Sequence, residues 1–461
     1  MTAFVFEQFL STPEIGAVFA DAAIVQGMLD FEAALARAQA AEGVIPAHVA
    51  GAIEQACRVE RYELAPLIAA STVAGTLAIP LVKALTAEVA KADADAAGYV
   101  HWGSTSQDVI DTAMVLATKR ALELIDARLL DLILAVSALA RRDGNAPMLG
   151  RTLMQPALVI SFGFKLVEWA APLMRGRARL ATAAARALKL QLGGAVGTLS
   201  VMGDHGPAVA QRMAADLKLA AAPGNWHTQR DEWVALGCEV GVLCGSLGKI
   251  AKDISLLAQA EVAEVAEPSG GGRGGSSAMP HKRNPVASMI ALAASMRAPH
   301  RVAALLGAMP QEHERGLGNW QAELAEWPGL FLSAHGALNA LADAAAGLSV
   351  DTARMRRNIE SLQGLVFAEA VSMLLATHIG KARAHARLEA WSRKAASERG
   401  HLLNIVLSGV AADAELREKV TPAALRAVFD IDAVARRASA MARPQWDAID
   451  QAMTTSDDHT R

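Results

Sequence analysis

Residues 267–286 read EPSGGGRGGSSAMPHKRNPV: a run of glycines is followed by two consecutive serines and then by a basic group between Pro280 and Pro285. Because glycine permits unusual backbone angles at an entropic cost, residues 267–283 are predicted to form a mobile lid. Lys282 and Asn284 are predicted to lie at a helix start, with Asn284 as the cap and Pro285 as the first helical residue. That position favours a bound carboxylate, and a lysine nearby would lower the proton affinity of a lid serine. The alternative is a basic surface loop with an ordinary helix cap.

Four further segments combine hydroxyl, amide and cationic side chains. Residues 101–112, HWGSTSQDVIDT, offer short hydroxyl side chains just before a helix predicted to begin near Asp108, where they can donate to a carboxylate. Each segment also has a structural interpretation, as helix capping or as a salt-bridged helix end. The candidate binding residues are Thr105, Ser106, Thr152, Gln155 and Arg315, and weaker candidates are His101, His227, Arg230 and His313.

Residue spacing argues against metal sites and dinucleotide-binding sites. No His, Cys and carboxylate grouping has metal-ligand spacing, and the G-x-G-x-x-G of the glycine segment lacks the preceding strand of a dinucleotide site. We therefore expect neither a metal nor a cofactor.

The net charge of −3 gives no general attraction to nucleic acid or to an anionic membrane. The amino-terminal stretch lacks the basic start of a signal peptide, so a cytoplasmic protein is predicted.

The elements that must position these residues are predicted to be helices. Apolar residues recur in steps of three and four along five long segments between residues 107 and 350, one of them running from Leu122 to Leu139. No convincing strand pattern was found. The sequence therefore predicts an all-α protein with three domains: residues 1–106, a long helical bundle over 107–350, and residues 351–461. Such long helices expose more apolar surface than one subunit covers, so self-association is expected.

The motif GSSAMPHKRNP at residues 275–285 resembles the signature of the fumarase/aspartase superfamily. HWGSTSQDVIDT resembles that superfamily's first shared block, and GRTLMQPA, at residues 150–157, resembles its second. Further segments resemble its cycloisomerase branch, which lactonises a muconate tricarboxylate in protocatechuate breakdown: WHTQRD, SLGKIAKDISLL, MPQEHERGLGNW and GLVFAEAV. The match extends over nearly the whole chain.

The resemblance implies a homotetramer with a core of packed helices and active sites that draw on three subunits. It implies that Ser276 transfers the proton, with Ser277 a weaker candidate, and that Lys282 and Asn284 hold substrate carboxylates and stabilise the intermediate. Thr105 and Ser106 would bind a carboxylate, and Arg315 is a further candidate by position. The partner is thus a small polycarboxylate.

One departure from the superfamily favours the cycloisomerase branch. Members that release an amine or hydroxide commonly carry histidine where this chain has Leu153. Expelling such a group needs a positioned acid, worth about 100- to 10,000-fold in rate. A carboxylate has a pKa near ~4 and can leave or attack unprotonated. A cycloisomerase moving an internal carboxylate therefore needs only one proton-handling residue.

Two alternatives remain at this point. One is a superfamily lyase that releases fumarate from an argininosuccinate- or adenylosuccinate-type substrate. The other is a non-catalytic structural protein of the same fold, against which the retained serine, lysine and asparagine of the lid argue.

Overall fold

The structure is a computed structural model that describes residues 5–270, 272–275, 279 and 282–458 of the 461-residue chain. Over these residues its secondary structure is mainly α-helical, as predicted. In chain order the helices are α1 (Val5–Gln8), α2 (Pro13–Val18), α3 (Asp21–Ala41), α4 (Val49–Ala56), α5 (Leu64–Ala74), α6 (Ala78–Ala92), α7 (Ser106–Asp143), α8 (Phe162–Ala187), α9 (Gly206–Asp216), α10 (Asp231–Leu257), α11 (Val286–Ala308), α12 (Asn319–Ala346), α13 (Thr352–Glu360), α14 (Ala368–Ile379), α15 (Lys381–Glu398), α16 (Leu402–Ala412), α17 (Pro422–Val428) and α18 (Ile431–Asp458). The strands are β1 (Pro147–Thr152), β2 (Gln155–Ser161), β3 (Val265–Ala266) and β4 (Ser349–Val350).

The five long apolar stripes each form a long helix: α7, α8, α10, α11 and α12. Their buried positions follow the predicted spacing, with Ile125, Leu129, Leu132 and Val136 at most 1% exposed along α7. The chain divides into two compact units. Unit 1 comprises Met1–Leu130, Arg175–Gly248 and Met289–Leu341, and unit 2 comprises Asp131–Met174, Lys249–Ser288 and Ala342–Arg461. The division into three domains stays a prediction.

Unit 1 has an aromatic ladder in its core. The rings of Trp233 and Trp327 stack with centroids 4.0 Å apart, and Phe331 continues the series at 5.3 Å from Trp327. The indole N–H of Trp327 donates to Thr118 Oγ1 at 2.8 Å, so this buried polar group is satisfied. Gly237 allows the side chains of Leu305 and Trp327 to pack directly against α10, because a Cβ at this position would lie 2.9 Å from Leu305 and 3.1 Å from Trp327.

Unit 2 contains a separate apolar cluster formed by α14, α15, α16 and α17. Leu375, Leu402, Val406 and Leu425 are fully buried in it. Gly409 lets α16 approach α15 closely, since a Cβ at this position would fall 2.4 Å from the Trp391 ring.

The β1–β2 hairpin differs from the sequence-based expectation, which included no strand. Its antiparallel register is interrupted between Gly150 and Arg151, where a bulge shifts the pairing. The bulge breaks the two-residue alternation that reveals a strand, and Pro147, Gly150 and Pro156 are residue types that strands disfavour. The pattern therefore carried no strand signal.

Helix α10 is long and apolar enough to cross a membrane, by length and composition alone. Half of its most apolar window is buried inside the protein, which is typical of a core helix.

Candidate active site

The basic end of the glycine segment lines a cavity in unit 2. Lys282, Asn284 and Met279 face a cavity of about 630 Å³ that is also bounded by Glu267 and Asp351. A cavity of this size suits a small organic ligand. The predicted proton donor Ser276 and its neighbour Ser277 lie outside the described residues.

The start of α11 is capped differently from the prediction. The helix begins at Val286, one residue after Pro285, and its next two backbone N–H groups donate to the Glu267 side chain rather than to the Asn284 side chain. Ala287 N lies 2.9 Å from Glu267 Oε2, and Ser288 N lies 2.9 Å from Oε1. The side chain of Ser288 donates to the same Oε1 at 2.7 Å. A carboxylate offers the helix terminus two acceptor oxygens and a full negative charge, whereas an Asn side chain offers one neutral oxygen.

Asn284 instead ties the helix start to the glycine segment. Its backbone N–H donates to Gly274 O at 2.9 Å, and its side-chain amide donates to Gly275 O at 3.3 Å. Gly274 has a φ of +70°, and a Cβ there would lie 2.8 Å from the Asn284 carbonyl oxygen. Glycine is therefore required at this position by both conformation and space.

In unit 1 the structure brings together two of the predicted carboxylate-binding residues. Arg315 Nη1 donates to Thr105 Oγ1 at 2.6 Å, although the two residues are 210 positions apart in sequence. Ser106 is the first residue of α7. A guanidinium, a hydroxyl and a helix start together suit an incoming carboxylate.

Asp108 fixes the residues that precede α7, including Thr105. Its role was not predicted from the sequence. Its carboxylate accepts hydrogen bonds from the backbone N–H groups of Thr105, Gly193 and Gly194, at 2.9–3.0 Å. His227 Nε2 also lies 2.7 Å from Asp108 Oδ1, and both side chains are fully buried. Asp108 follows Thr105 by three residues, a capping spacing that the sequence displays but that gives no hint of the Gly193 contact.

His101 forms a pair with Glu32 close to these residues. His101 Nδ1 lies 2.6 Å from Glu32 Oε1 and 2.9 Å from the Ser104 hydroxyl. Burial disfavours the imidazolium, yet the Glu32 carboxylate outweighs it and raises the pKa of His101 above its ordinary value. The pair therefore favours the protonated form of His101, next to the Ser104 hydroxyl.

Arg230 lies in a buried charge network. It is 2% exposed and donates to Asp111 at 2.8 Å and to Glu323 at 3.1 Å, while its guanidinium stands 4.5 Å from the Trp226 ring centroid. Its donors are thus engaged by protein groups, an arrangement that favours a structural role. His313, another weaker candidate, is exposed and has a φ of +49°.

Thr152 and Gln155 face each other at the end of the β1–β2 hairpin in unit 2. The two residues between them, Leu153 and Met154, have φ values of +49° and +67°, as a type I′ turn requires. Leu153 is 95% exposed. The structure therefore projects an apolar side chain into solvent at the position where the superfamily resemblance would place a histidine in amine-releasing members.

Within the described residues there is no cluster of three or more His, Cys, Asp or Glu side chains suited to a metal ion. In unit 1, Arg315, the Thr105 hydroxyl and the start of α7 can bind a carboxylate. In unit 2, Lys282 can stabilise negative charge in the cavity that it lines.

Comparisons with known proteins agree with this chemistry. A family described as Lyase matches residues 9–299. The chain is 48% identical, over 96% of its length and 97% of the relative's, to a 3-carboxy-cis,cis-muconate cycloisomerase of Bradyrhizobium diazoefficiens. It is 41% identical, over 90% of its length and 88% of the relative's, to a nitrosuccinate lyase of Streptomyces davaonensis. The crystal structure of a 3-carboxy-cis,cis-muconate lactonizing enzyme from Pseudomonas putida superposes with a TM-score of 0.90 at 40% identity, covering 97% of this chain and 99% of that one. The chain therefore belongs to this lyase family, the fumarase/aspartase superfamily that its motifs resemble.

Proposed function

We propose that this chain is a cofactor-independent cycloisomerase that converts 3-carboxy-cis,cis-muconate to 4-carboxymuconolactone in protocatechuate catabolism. The observation that carries the proposal is the near full-length similarity to cycloisomerases of that specificity. The cationic and hydroxyl groups described above support it, because the substrate carries three carboxylates.

The reaction begins when an internal carboxylate oxygen adds to a carbon of the conjugated chain, forming the C–O bond of the lactone. Electrons of the double bond move to the neighbouring carbon and into its attached carboxylate, producing an enolate-like species. Lys282 of one subunit stabilises that charge, while Arg315 and Thr105 of another subunit anchor a second carboxylate. Ser276 then gives its proton to carbon and regains one from solvent. The trianionic substrate becomes a dianionic lactone, so each turnover takes up one proton.

The apolar side chain of Leu153 is consistent with this route. Attack by a carboxylate needs no proton on the attacking or leaving oxygen, since that group is stable as an anion. A single proton donor therefore suffices, and a histidine at the hairpin turn is not needed.

The proton balance gives a direct test. We expect purified protein given freshly prepared 3-carboxy-cis,cis-muconate to consume one proton per substrate in an unbuffered pH-stat assay, with the lactone identified by NMR. Release of fumarate from an argininosuccinate- or adenylosuccinate-type substrate, with no lactone formed, would instead establish the lyase alternative. The 41% identity to a nitrosuccinate lyase makes an assay for lyase activity necessary.

Two variants test the assigned roles. Ser276→Ala is expected to lower kcat by about 100- to 10,000-fold, the range for a positioned proton donor. Thr105→Val removes the hydroxyl beside Arg315 and is expected to lower kcat/KM by about 10- to 100-fold, because a hydrogen bond to a charged group contributes about 1.5–3 kcal/mol. Near-native rates in both variants would refute the site. Ser397→Ala and Thr182→Val, whose hydroxyls bond only to nearby helix carbonyls on the surface, are the matched controls.

We also propose a cytoplasmic homotetramer with active sites shared between subunits. Along α11, Met289, Met296 and Leu306 form an exposed apolar stripe, with Met296 at 72% exposure, and Val242 on α10 is 50% exposed. Apolar stripes of this kind are usually covered by another subunit. Met296→Glu is expected to shift the sedimentation coefficient to that of a smaller species and to abolish activity. Met441→Glu, at a residue that is also 72% exposed but lies on α18, should leave both unchanged.

A further inference from the structure

Glu267 is the first residue of the glycine-rich segment 267–285, and its side chain contacts α11, which begins at the other end of that segment. The residue immediately follows β3, whose two residues pair with Ser349 and Val350 of β4. Its backbone is therefore held by the small sheet, while its carboxylate reaches the first turn of α11 through the three hydrogen bonds described above. One side chain thus joins the two ends of the segment that carries Lys282 and Asn284.

This arrangement changes the interpretation of the helix start. An uncapped helix terminus attracts anions, because its free N–H groups and the helix dipole favour negative charge. In this structure the protein's own carboxylate occupies that position at the start of α11, so Lys282 and Asn284 must bind a substrate carboxylate through their side chains. It also explains how a carboxylate can line a cavity for a polyanion: its charge is already balanced by the helix terminus.

The contact also sets the position of the binding groups. Ser288 is completely buried, so the first turn of α11 is a fixed point within unit 2. Lys282 and Asn284 lie four and two residues before the helix, and Asn284 is tied to Gly274 and Gly275. Asn284 and Lys282 line the same cavity as Glu267. A shift of the helix start would move both binding groups relative to the cavity, and displacements of about 1 Å can cost about 100-fold in rate.

We propose that Glu267 is a positioning residue for the reaction: by capping α11 it holds Lys282 and Asn284 in the geometry that binds the substrate carboxylates. This inference rests on the proposed function, but it concerns a residue that does not itself contact the reacting atoms.

The primary test is Glu267→Gln, in which one acceptor oxygen is replaced by an amide that cannot accept a helix N–H. We expect kcat/KM for lactonisation to fall by about 10- to 100-fold, mainly through KM. The matched control is Asp430→Asn, because the carboxylate of Asp430 caps the start of α18 by accepting from Ala433 N at 2.9 Å. That variant should retain native kinetics.

A second variant separates positioning from a purely structural role. Glu267→Ala leaves the helix terminus open, and added formate supplies a carboxylate small enough to fill it. We expect formate to restore kcat/KM in Glu267→Ala by at least about fivefold and to have no such effect on the Asp430→Ala control. Far-ultraviolet circular dichroism and the urea midpoint establish that each variant is folded.

The outcomes are distinct. Wild-type protein that forms no lactone refutes the proposed function. Active wild-type protein with native kinetics in Glu267→Gln refutes the positioning role alone. A folded Glu267→Ala variant that is slow but insensitive to formate also counts against it, because the vacated helix terminus would then not be the cause.

Discussion

Removal of the Arg230 guanidinium is expected to destabilise unit 1 severely. In Arg230→Met, the carboxylates of Asp111 and Glu323 would remain buried without their counter-charge. Each is only 1% exposed, and together they receive four hydrogen bonds from the arginine. Breaking a buried charge pair by deleting one partner costs about 3–5 kcal/mol. We expect a loss of that size in the free energy of unfolding at pH 7, measured by urea denaturation followed by tryptophan fluorescence.

The stability lost in Arg230→Met is also expected to depend on pH, in a direction that follows from the pKa of Glu323. Burial raises the pKa of Glu323 above its ordinary value even with Arg230 present, and removing the arginine raises it further. A carboxyl group whose pKa is higher in the folded state than in the unfolded state destabilises the folded state once it ionises. This destabilisation grows as the pH rises from the unfolded-state pKa through the folded-state pKa. The deficit of Arg230→Met relative to wild type should therefore be smallest near pH 4.5 and grow towards pH 7.

Arg37 provides a matched control within the same unit. It also contacts two carboxylates, Glu54 at 2.7 Å and Asp216 at 2.9 Å, but its side chain is 37% exposed. Exposed ion pairs contribute about 0–1 kcal/mol, so Arg37→Met should cost no more than that. Equal losses in the two variants, or a deficit of Arg230→Met that does not change with pH, would refute the reasoning from burial.

Three further predictions concern other parts of the chain. Glu32→Gln should lower the urea midpoint most below about pH 6.5, with the difference from wild type shrinking as pH rises through the raised pKa of His101; a constant difference would contradict the charge pairing. Met154→Gly should raise the free energy of unfolding by about 1 kcal/mol, because glycine adopts the positive φ of the hairpin turn without strain; an unchanged urea midpoint would argue against strain there. Burial raises the pKa of the Cys244 thiol to about 12, so mass spectrometry should find it unalkylated by iodoacetamide in native protein at pH 8 and fully alkylated in urea.

Some of the candidate site could be predicted from the sequence because its signals are local. Residue types near the glycine segment indicated a basic, carboxylate-binding group, and the hydroxyl residues before α7 indicated a helix start with free donors. The meeting of Thr105 and Arg315 could not be predicted from spacing, because 210 residues separate them. The charges that balance Arg230 also come from distant positions, and only packing brings them to one place.

By itself, the sequence determined that this is an all-α protein of long amphipathic helices in the fumarase/aspartase superfamily. Periodicity of three and four residues is set by helix geometry, and contiguous motifs can be recognised without knowledge of the fold. The tertiary structure alone decided that Glu267, and not Asn284, caps α11. It also decided that Leu153 lies on a hairpin turn and that Asp108 holds the Thr105 loop. These outcomes depend on which distant groups reach a free backbone donor, and a helix terminus accepts the best-placed carboxylate regardless of its distance in sequence.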